Sequence, residues 1–275
     1  MPRAAVLGQP IAHSLSPVLH NAGYVAAGLK DWTYERFEVD AAGLPGFVSQ
    51  AAPDLRGFSV TMPGKFAALE FATEATERAR LIGSANTLVR LDDGGWRADN
   101  TDCEGVVGSL QQLLGDAAVE RAVVVGSGGT ARPALWALAQ RGVTHVDIIN
   151  RSDRLSELRD LTDALGIEVS YVPLTDDFIS LVEDATFDAG VVVSTVPSAA
   201  VAGHLEALSH APLLDVIYDP LPTPLMTYAA ANGHPAVGGH VMLAHQSYSQ
   251  FEQFTGVEAP RDAMLSALRG VLEHS

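Results

Sequence analysis

The segment Val123–Ala131 constrains the fold most strongly, because a buried strand there runs into a glycine-rich turn and then into a helix. Its letters, VVVGSGGTA, match the pattern G-x-G-x-x-A of nucleotide-binding βαβ units. Gly126 permits the tight turn, Gly128 lets backbone N–H groups approach a pyrophosphate, and Ala131 allows close packing of helix on strand. The N-terminus of the helix adds partial positive charge. The flanking strand and helix favour a dinucleotide site over a plain turn.

Short β-rich runs alternate with amphipathic helical stretches along the chain, which is typical of an α/β protein with largely parallel sheets. The predicted strands cover residues 4–7, 34–39, 57–60, 87–91, 121–125, 145–149, 168–172, 190–195 and 213–218. The predicted helices cover residues 17–28, 42–50, 65–71, 104–114, 131–141, 153–165, 241–254 and 261–272. The last two helices have no strand of their own, so they must cover an existing sheet face. We therefore predict an α/β domain with a mixed sheet at 1–102, a Rossmann domain at 103–240, and C-terminal helices within 241–275 that return to the first domain.

The composition is that of a globular protein rather than a disordered or membrane protein. At 275 residues, with 47% hydrophobic and 18% charged residues, the chain has room for two domains. Its single cysteine, Cys103, excludes an internal disulfide framework and favours a reducing cytoplasm. The sequence contains neither a signal-peptide pattern nor a run of roughly 18 apolar residues, so no membrane partner is expected. A formal net charge of −16 disfavours nucleic-acid binding, and no His, Cys or carboxylate cluster has metal-ligand spacing.

Two arginines follow the strand after the glycine turn, where an NAD-binding protein usually carries an acid for the ribose 2′-hydroxyl. Arg151 and Arg154 can instead donate charge-assisted hydrogen bonds to a 2′-phosphate. In such an acidic chain this position favours NADP. The alternative is that the arginines pair with Asp153 or Glu157 on an exposed helix.

Small polar residues collect at the strand ends of the first domain. Ser14 and Ser16 lie between a strand and a helix whose first residue is Pro17. Ser16 is therefore expected to be the N-cap of that helix. Both hydroxyls can also donate to a carboxylate, and capping and binding do not exclude each other.

Lys65 and Asp102 are the candidates for chemistry. Lys65 opens a predicted helix although the helix dipole disfavours a cation in the first turn, which suggests a function other than stability. A solvated lysine is the alternative. Asp102 precedes another predicted helix and is either its N-cap or a partner of Lys65. Asn86, at the start of a predicted strand, adds a further polar group.

The chain resembles the shikimate dehydrogenase family in the order of these residues and of the motifs that contain them. The shared motifs are Ser14-Leu15-Ser16-Pro17 with His20-Asn21, Val60-Thr61-Met62-Pro63-Gly64-Lys65, Asn86-Thr87, Asn100-Thr101-Asp102, Gly126-Ser127-Gly128-Gly129, Asn150-Arg151, Asp215–Pro220 with Thr223-Pro224-Leu225, and Met242-Leu243-Ala244-His245-Gln246. The resemblance covers almost the whole chain, and the joint occurrence of these motifs is highly specific.

The resemblance implies reversible, NADP-dependent reduction of 3-dehydroshikimate to shikimate, a step of chorismate and aromatic amino acid biosynthesis. Lys65 and Asp102 are the implied catalytic pair. The implied substrate-binding residues are Ser14 and Ser16 for the carboxylate, Thr61, Asn86 and Gln246 for the ring hydroxyls, and Tyr218, Lys65 and Asp102 in the same cleft. The implied cofactor-binding residues are Gly126, Ser127, Gly128, Gly129, Thr130, Asn150, Arg151, Arg154, Val216 and Gly239. The expected partner is a small molecule, with a homodimer as one alternative for the oligomeric state.

Several positions depart from the family pattern. Ser59 stands where asparagine is common, and Asp219 replaces the asparagine that usually follows the tyrosine. Gly239-His240-Val241 replaces Gly-x-Gly, and Arg154 follows the first arginine at a shorter spacing than usual. None of these departures removes a catalytic residue, but they leave the shape around the nicotinamide and the role of Arg154 open.

Two other functions fit parts of the sequence. A quinate or dual-specificity quinate/shikimate dehydrogenase, expected to use NAD, is disfavoured by the two serines at 14 and 16 and by Arg151. A non-catalytic ligand sensor on the same scaffold would not need both Lys65 and Asp102, and the chain has no room for an added DNA-binding segment.

Overall fold

Each half of the chain builds its own six-stranded sheet in the computed structural model, which describes residues 1–273. One compact unit contains Met1–Asp102 together with the chain from Leu243 onward, and the other contains Cys103–Met242. The C-terminal helices thus belong to the same unit as the first strands, because they have no sheet of their own to cover. The predicted fold class is confirmed.

The first unit has a mixed sheet. Its strands are β1 (Arg3–Gly8), β2 (Thr33–Glu38), β3 (Leu55–Val60), β4 (Glu74–Ala75), β5 (Thr87–Arg90) and β6 (Trp96–Asp99), in the order β2-β1-β3-β5-β6-β4. β1 pairs in parallel with β2 and β3, whereas β5 pairs antiparallel with β3 and β6. The helices between these strands are α1 (Ser16–Ala26), α2 (Leu44–Ser49), α3 (Lys65–Phe71) and α4 (Glu77–Ile82). Buried apolar residues on the sheet, such as Phe58, Leu88 and Trp96, form its core with Leu44 and Val48 of α2.

The second unit has a parallel sheet. Its strands are β7 (Arg121–Val125), β8 (His145–Asn150), β9 (Glu168–Pro173), β10 (Val191–Ser194), β11 (Leu213–Asp215) and β12 (Ala236–Gly238), in the order β12-β11-β10-β7-β8-β9. Counted within the unit, this is the order 3-2-1-4-5-6 of a Rossmann fold, in which ligands bind where the order reverses. The reversal lies between β7 and β10, whose residues after Arg121 are all buried.

Helices complete the second unit and return the chain to the first. They are α5 (Asp102–Leu114), α6 (Ala131–Gln140), α7 (Leu155–Leu165), α8 (Ile179–Asp188), α9 (Ser198–Val201), α10 (Pro224–Ala231), α11 (Gly239–Thr255) and α12 (Arg261–Leu272), with a short 3-10 helix at Asp176–Phe178. The described part of the chain has no helix with the length and apolar character needed to cross a membrane.

The sequence patterns missed seven elements, most of them short. β4, α4, β6, α8, α9, α10 and β12 were not predicted. β6 has only four residues and forms through antiparallel pairing with β5 across the turn at 91–95. The strand expected at 213–218 ends at Asp215, because the chain leaves the sheet at Val216.

Candidate active site

Lys65 and Asp102 are in direct contact in the first unit. Lys65 is the first residue of α3, after the turn that follows β3, and its carbonyl accepts a hydrogen bond from Ala85 at 2.9 Å. Its Nζ lies 2.5 Å from Oδ2 of Asp102, and the two side chains are 14% and 3% exposed. A cation at the start of a helix thus has its counter-ion on another element. Asp102 was expected to be either a helix N-cap or a partner of Lys65, and this contact supports the partnership with Lys65.

Asn86 joins this pair to the polar residues around it. Its Nδ2 donates to Oδ1 of Asp102 at 2.9 Å and to Oε1 of Gln246 at 2.8 Å. Its Oδ1 accepts from the backbone N–H of Thr101 at 2.7 Å and from the hydroxyl of Thr87 at 2.8 Å. Because a backbone N–H can only donate, the atom facing Thr101 must be the oxygen, so the orientation of the Asn86 amide is determined. Sequence analysis missed this role of Thr87 and Thr101, although both stand inside motifs that it quoted.

The predicted carboxylate-binding serines lie at the start of α1. The expectation that Ser16 is the N-cap is wrong: Ser16 is already the first helical residue, and Leu15 at the cap position makes no side-chain cap. The hydroxyl of Ser14 instead accepts from the backbone N–H of Ser16 at 3.4 Å. Ser16 is buried and Ser14 is partly exposed.

Thr61 is held at the end of β3 by the end of β1. Its N–H donates to the carbonyl of Leu7 at 2.9 Å. A Cβ on Gly8 would lie 2.4 Å from Cγ2 of Thr61, so only glycine lets the two strand ends approach this closely. Gly8 is a positional requirement that the sequence patterns did not reveal.

The glycine turn of the second unit lies at the reversal of strand order. Gly126 has φ +101°, and a Cβ there would lie 2.6 Å from Val196 and 2.7 Å from Thr195, both of which follow β10. The fold itself therefore requires glycine at position 126. A Cβ on Gly128, by contrast, would contact nothing within 4 Å, so the protein itself does not require glycine at that position. Ala131 is fully buried at the start of α6, as close helix packing requires.

Asn150 ties the end of β8 to the glycine turn. Its Nδ2 donates to the hydroxyl of Ser127 at 2.9 Å, and its Oδ1 accepts from the backbone N–H of Arg151 at 3.0 Å. Gly129 and Thr130 complete the turn before α6. The predicted cofactor residues on these two strand ends are thus brought together.

The two arginines of the predicted 2′-phosphate site differ. Arg154 pairs with Glu157 at 3.5 Å, as the alternative interpretation expected, although exposures of 55% and 53% make the pair worth at most about 1 kcal/mol. Asp153 uses its carboxylate to accept from the N–H of Leu155, at the start of α7. Arg151 is exposed, and its guanidinium makes no hydrogen bond or ion pair within residues 1–273.

Sequence analysis missed a third arginine in this region. Arg132, in the first turn of α6, donates from Nη2 to the carbonyl of Glu157 at 2.6 Å. Burial lowers the pKa of its guanidinium, against the opposing effect of nearby acids. The signal was available, since Arg132 follows the glycine pattern directly.

The remaining predicted residues are distributed between the two units. Val216, Tyr218 and Gly239 belong to the second unit, and Gln246 on α11 belongs to the first. A Cβ on Gly239 would lie 1.9 Å from the carbonyl oxygen of Val216, so these two backbones touch and residue 239 must be glycine.

Comparisons with known proteins agree with this arrangement. Residues 6–88 match the shikimate dehydrogenase substrate binding domain, and residues 239–269 match the shikimate 5'-dehydrogenase C-terminal domain. A shikimate dehydrogenase (NADP(+)) of Methylobacterium radiotolerans is 37% identical over 98% of this chain and 95% of the relative. The crystal structure of Mycobacterium tuberculosis shikimate dehydrogenase is 48% identical, with a TM-score of 0.90 over 98% of this chain and all of that one. A quinate dehydrogenase from Corynebacterium glutamicum, in complex with NAD, is 27% identical, with a TM-score of 0.86 over 98% of this chain and 99% of that one.

A Rossmann unit with a glycine turn, together with a unit that carries a partly buried lysine–carboxylate pair, defines an oxidoreductase that uses a nicotinamide nucleotide. The identity and coverage of the relatives narrow this class further. The chain belongs to the shikimate dehydrogenase family.

Proposed function

We propose that this chain reduces 3-dehydroshikimate to shikimate with NADPH, and catalyses the reverse reaction, in aromatic amino acid biosynthesis. The observation that supports this most directly is the contact of 2.5 Å between Lys65 and Asp102, in the unit that matches the substrate binding domain. A sensor on this scaffold would have no need for such a pair.

The chemistry requires a proton donor at the ketone oxygen. NADPH, when bound, supplies the hydride that reduces the carbonyl carbon. As the C=O π electrons move onto oxygen, the ammonium of Lys65 donates a proton to it, which leaves a hydroxyl group and a neutral amine. The amine regains its proton from solvent. Such general acid catalysis is typically worth roughly 10²- to 10⁴-fold in rate.

Asp102 orients this donor. Its Oδ2 contacts Nζ of Lys65 while its Oδ1 accepts from Asn86, so both carboxylate oxygens are held at once. The carboxylate is therefore fixed in one orientation before substrate binds, and the ammonium is fixed with it. In the oxidative direction the neutral amine of Lys65 accepts the proton of the reacting hydroxyl.

The other substrate groups are assigned by the same reasoning. Ser14 and Ser16 bind the carboxylate, Thr61, Asn86 and Gln246 bind the ring hydroxyls, and Tyr218 lines the site. The order of these groups in the chain, which the family shares, supports the assignment. With these residue roles, the first unit is the substrate-binding and catalytic domain and the second unit is the NADP-binding domain.

The second unit fits the phosphates of NADP. The open space beside Gly128 leaves room for a pyrophosphate against the turn Gly126–Thr130, at the N-terminus of α6. The N–H of Gly126 already donates to the carbonyl of Ile149, so the backbone donors for the pyrophosphate come from the residues that follow it in the turn. Arg151, with no partner in the described chain, is the donor available for the 2′-phosphate. Asn150 holds the turn, Arg154 assists once released from Glu157, and Val216 and Gly239 lie near the nicotinamide.

A matrix of two substrates and two cofactors tests the proposal. Purified protein should oxidise shikimate with NADP⁺, with a kcat/KM at least tenfold above that for quinate or for NAD⁺. Preference for quinate with NAD⁺ would instead favour the function of the Corynebacterium relative. Nucleotide and shikimate binding without any change in absorbance at 340 nm would favour a sensor. Sedimentation of the same sample distinguishes a monomer from a homodimer, and the single cysteine makes a reducing cytoplasm the expected compartment.

A further inference from the structure

A continuous series of buried hydrogen bonds leads to the carboxylate of Asp102 from the opposite end of the first unit's polar core. It runs through six side chains, which are Tyr34, Ser59, Gln250, Thr87, Asn86 and Asp102. All six are buried, and the successive distances are 2.5, 2.7, 3.0, 2.8 and 2.9 Å. We call this set the Tyr34–Asp102 series. It ends at the oxygen of Asp102 that does not contact Lys65.

The direction of the hydrogen bonds in the Tyr34–Asp102 series is determined at two points. Nε2 of Gln250 lies 3.1 Å from the backbone carbonyl of Asn86, which can only accept, so Gln250 donates on this side. Its Oε1 must then accept from the hydroxyl of Ser59. At the other point, the backbone N–H of Thr101 fixes the oxygen of the Asn86 amide.

The Thr87 hydroxyl lies between these two amides. It accepts from Gln250, and the shorter of the two contacts open to its own hydrogen is the one to Oδ1 of Asn86, at 2.8 Å against 3.1 Å to the hydroxyl of Thr101. Ser59, which donates to Gln250, accepts in turn from Tyr34. Along these shortest contacts, every donor in the Tyr34–Asp102 series points toward Asp102.

Gln250 is the member that comes from a distant part of the sequence. It lies on α11, more than 160 residues from Asn86 and Thr87, and is 2% exposed. Its single amide contacts the backbone of Asn86, the side chain of Thr87 and the side chain of Ser59. The neighbouring ring of His20 stacks on Tyr34 with centroids 4.1 Å apart, and burial lowers the pKa of His20 to about 3, so the ring is neutral at physiological pH.

We propose that Gln250 is a positioning residue for the Lys65–Asp102 pair, acting through Thr87 and Asn86. Gln250 does not contact either member of the pair. Its amide donates to the Thr87 hydroxyl, which in turn donates to the Asn86 oxygen. This bond adds to the one from the backbone N–H of Thr101 and helps to hold the Asn86 nitrogen against Asp102. This inference rests on the proposed function for its effect on rate, and on geometry alone for its effect on the Asn86 amide.

Gln250→Met is the first test, because methionine has a similar length but no hydrogen-bonding atoms that can replace the amide. We expect kcat for shikimate oxidation to fall roughly 10- to 100-fold, as small displacements of catalytic groups do, with the Kd for NADPH unchanged within twofold. The matched control is Gln253→Met on the same helix, whose amide donates to Asp99 rather than to Thr87. The Gln253→Met control should retain kcat within threefold of the unmodified protein. This should hold even if its melting temperature falls by as much as that of Gln250→Met.

Thr87→Val and Thr87→Ser provide the second test and do not alter α11. Valine has the shape of threonine without the hydroxyl, so Thr87→Val should lower kcat as Gln250→Met does, whereas Thr87→Ser keeps the hydroxyl and should recover most of the rate. Equal rates in the valine and serine variants would overturn the proposal. So would a rate in Gln250→Met within threefold of the Gln253→Met control.

The third test does not depend on turnover. In ¹⁵N-labelled protein the side-chain amide protons of Asn86, held by Asp102 and Gln246, should exchange slowly with solvent. Gln250→Met should shift both resonances and speed their exchange at least tenfold, while Gln253→Met leaves them in place. Unchanged Asn86 resonances in Gln250→Met would refute the positioning role. Absence of shikimate turnover in the unmodified protein would refute the proposed function instead, and this amide measurement would still decide the role of Gln250.

Discussion

Asn86 in the first unit uses both amide hydrogens and its oxygen in bonds to the protein, whereas the guanidinium of Arg151 in the second unit has no partner within residues 1–273. The same contrast separates Gly8, against which a Cβ would meet Thr61, from Gly128, beside which the space is open. The polar groups around Asp102 in the first unit are fixed by one another before any ligand binds. In the second unit the guanidinium of Arg151 and the space beside Gly128 are left available to a ligand. Substitutions among these residues of the first unit should therefore change the catalytic rate and the stability. Substitutions at the open positions of the second unit should change nucleotide affinity with little loss of stability.

The largest expected effect is that of Lys65→Ala. Removing the proton donor should lower kcat by roughly 10²- to 10⁴-fold, because no other group is assigned to protonate the ketone oxygen. The Kd for NADPH should stay within twofold, since Lys65 belongs to the other unit. Steady-state assays and fluorescence titration with NADPH measure the two quantities. A variant that keeps most of its turnover would remove Lys65 from its role.

Arg151→Ala should have the next largest effect. Loss of charge-assisted hydrogen bonds to a 2′-phosphate should weaken NADPH binding roughly 10- to 100-fold and leave NADH binding unchanged. Arg154→Ala is the matched control and should cost less, because Arg154 already pairs with Glu157. Calorimetric titration with both nucleotides measures the difference. Equal losses for NADPH and NADH would contradict recognition of the 2′-phosphate by Arg151.

Two alanine substitutions in the glycine turn separate a glycine that the fold requires from one that the nucleotide requires. Gly126→Ala should destabilise the protein by about 1–3 kcal/mol, because φ is +101° and the new methyl would overlap Val196. Gly128→Ala should leave the free energy of unfolding nearly unchanged and still weaken NADPH binding, because its methyl enters the space of the pyrophosphate. Denaturant unfolding and nucleotide titration of both variants test this. Similar destabilisation of the two variants would contradict the inference that the fold requires glycine at 126 but not at 128.

The smallest effects concern pH, where one aspartate in each unit should act with opposite sign. Burial tends to raise the pKa of Asp99, but hydrogen bonds from Arg78 and Thr76 outweigh it, and the net pKa lies below the ordinary value. Burial raises the pKa of Asp215 above its ordinary value, against the hydrogen bond from Thr223. Asp99 therefore contributes stability above the pKa of the unfolded chain, near 3.9, and that stability is lost as pH falls through its folded pKa. The contribution of Asp215 is present below the unfolded pKa and is lost as pH rises through its folded pKa.

Asp99→Asn and Asp215→Asn test these signs. At pH 7, Asp99→Asn should destabilise the protein by about 1–3 kcal/mol, because it leaves Arg78 without its carboxylate. Asp215→Asn should be close to neutral or stabilising at the same pH. Urea unfolding followed from pH 7 to below the unfolded pKa of about 3.9 should show that the Asp99 variant loses less stability on the acid side than the unmodified protein does. The same sign of change in both variants would contradict the assignment.

The strongly periodic elements and the local motifs were predictable from sequence. The glycine turn and the helices at Lys65–Phe71 and Arg261–Leu272 depend on neighbouring residues, and their bounds agree with the structure. β6 escaped prediction because four residues carry too little periodicity, and the strand is defined by its pairing with β5 and β4. Ser16 was misassigned as a cap because helix ends shift by one residue without any change in pattern.

The α/β class, the nucleotide turn and the residue types able to carry out the chemistry could all be predicted from the amino-acid sequence, because each of these depends on residues that are near neighbours in the chain. Three features depend on how distant parts of the chain pack together. Lys65 contacts Asp102, the guanidinium of Arg151 has no partner within residues 1–273, and Gln250 contacts Thr87 and Asn86. Hydrogen bonds between residues 37 to 164 positions apart leave no periodic trace along the chain. They form because buried polar groups must be paired, and which partner is within reach is decided by how the helices pack on the sheet.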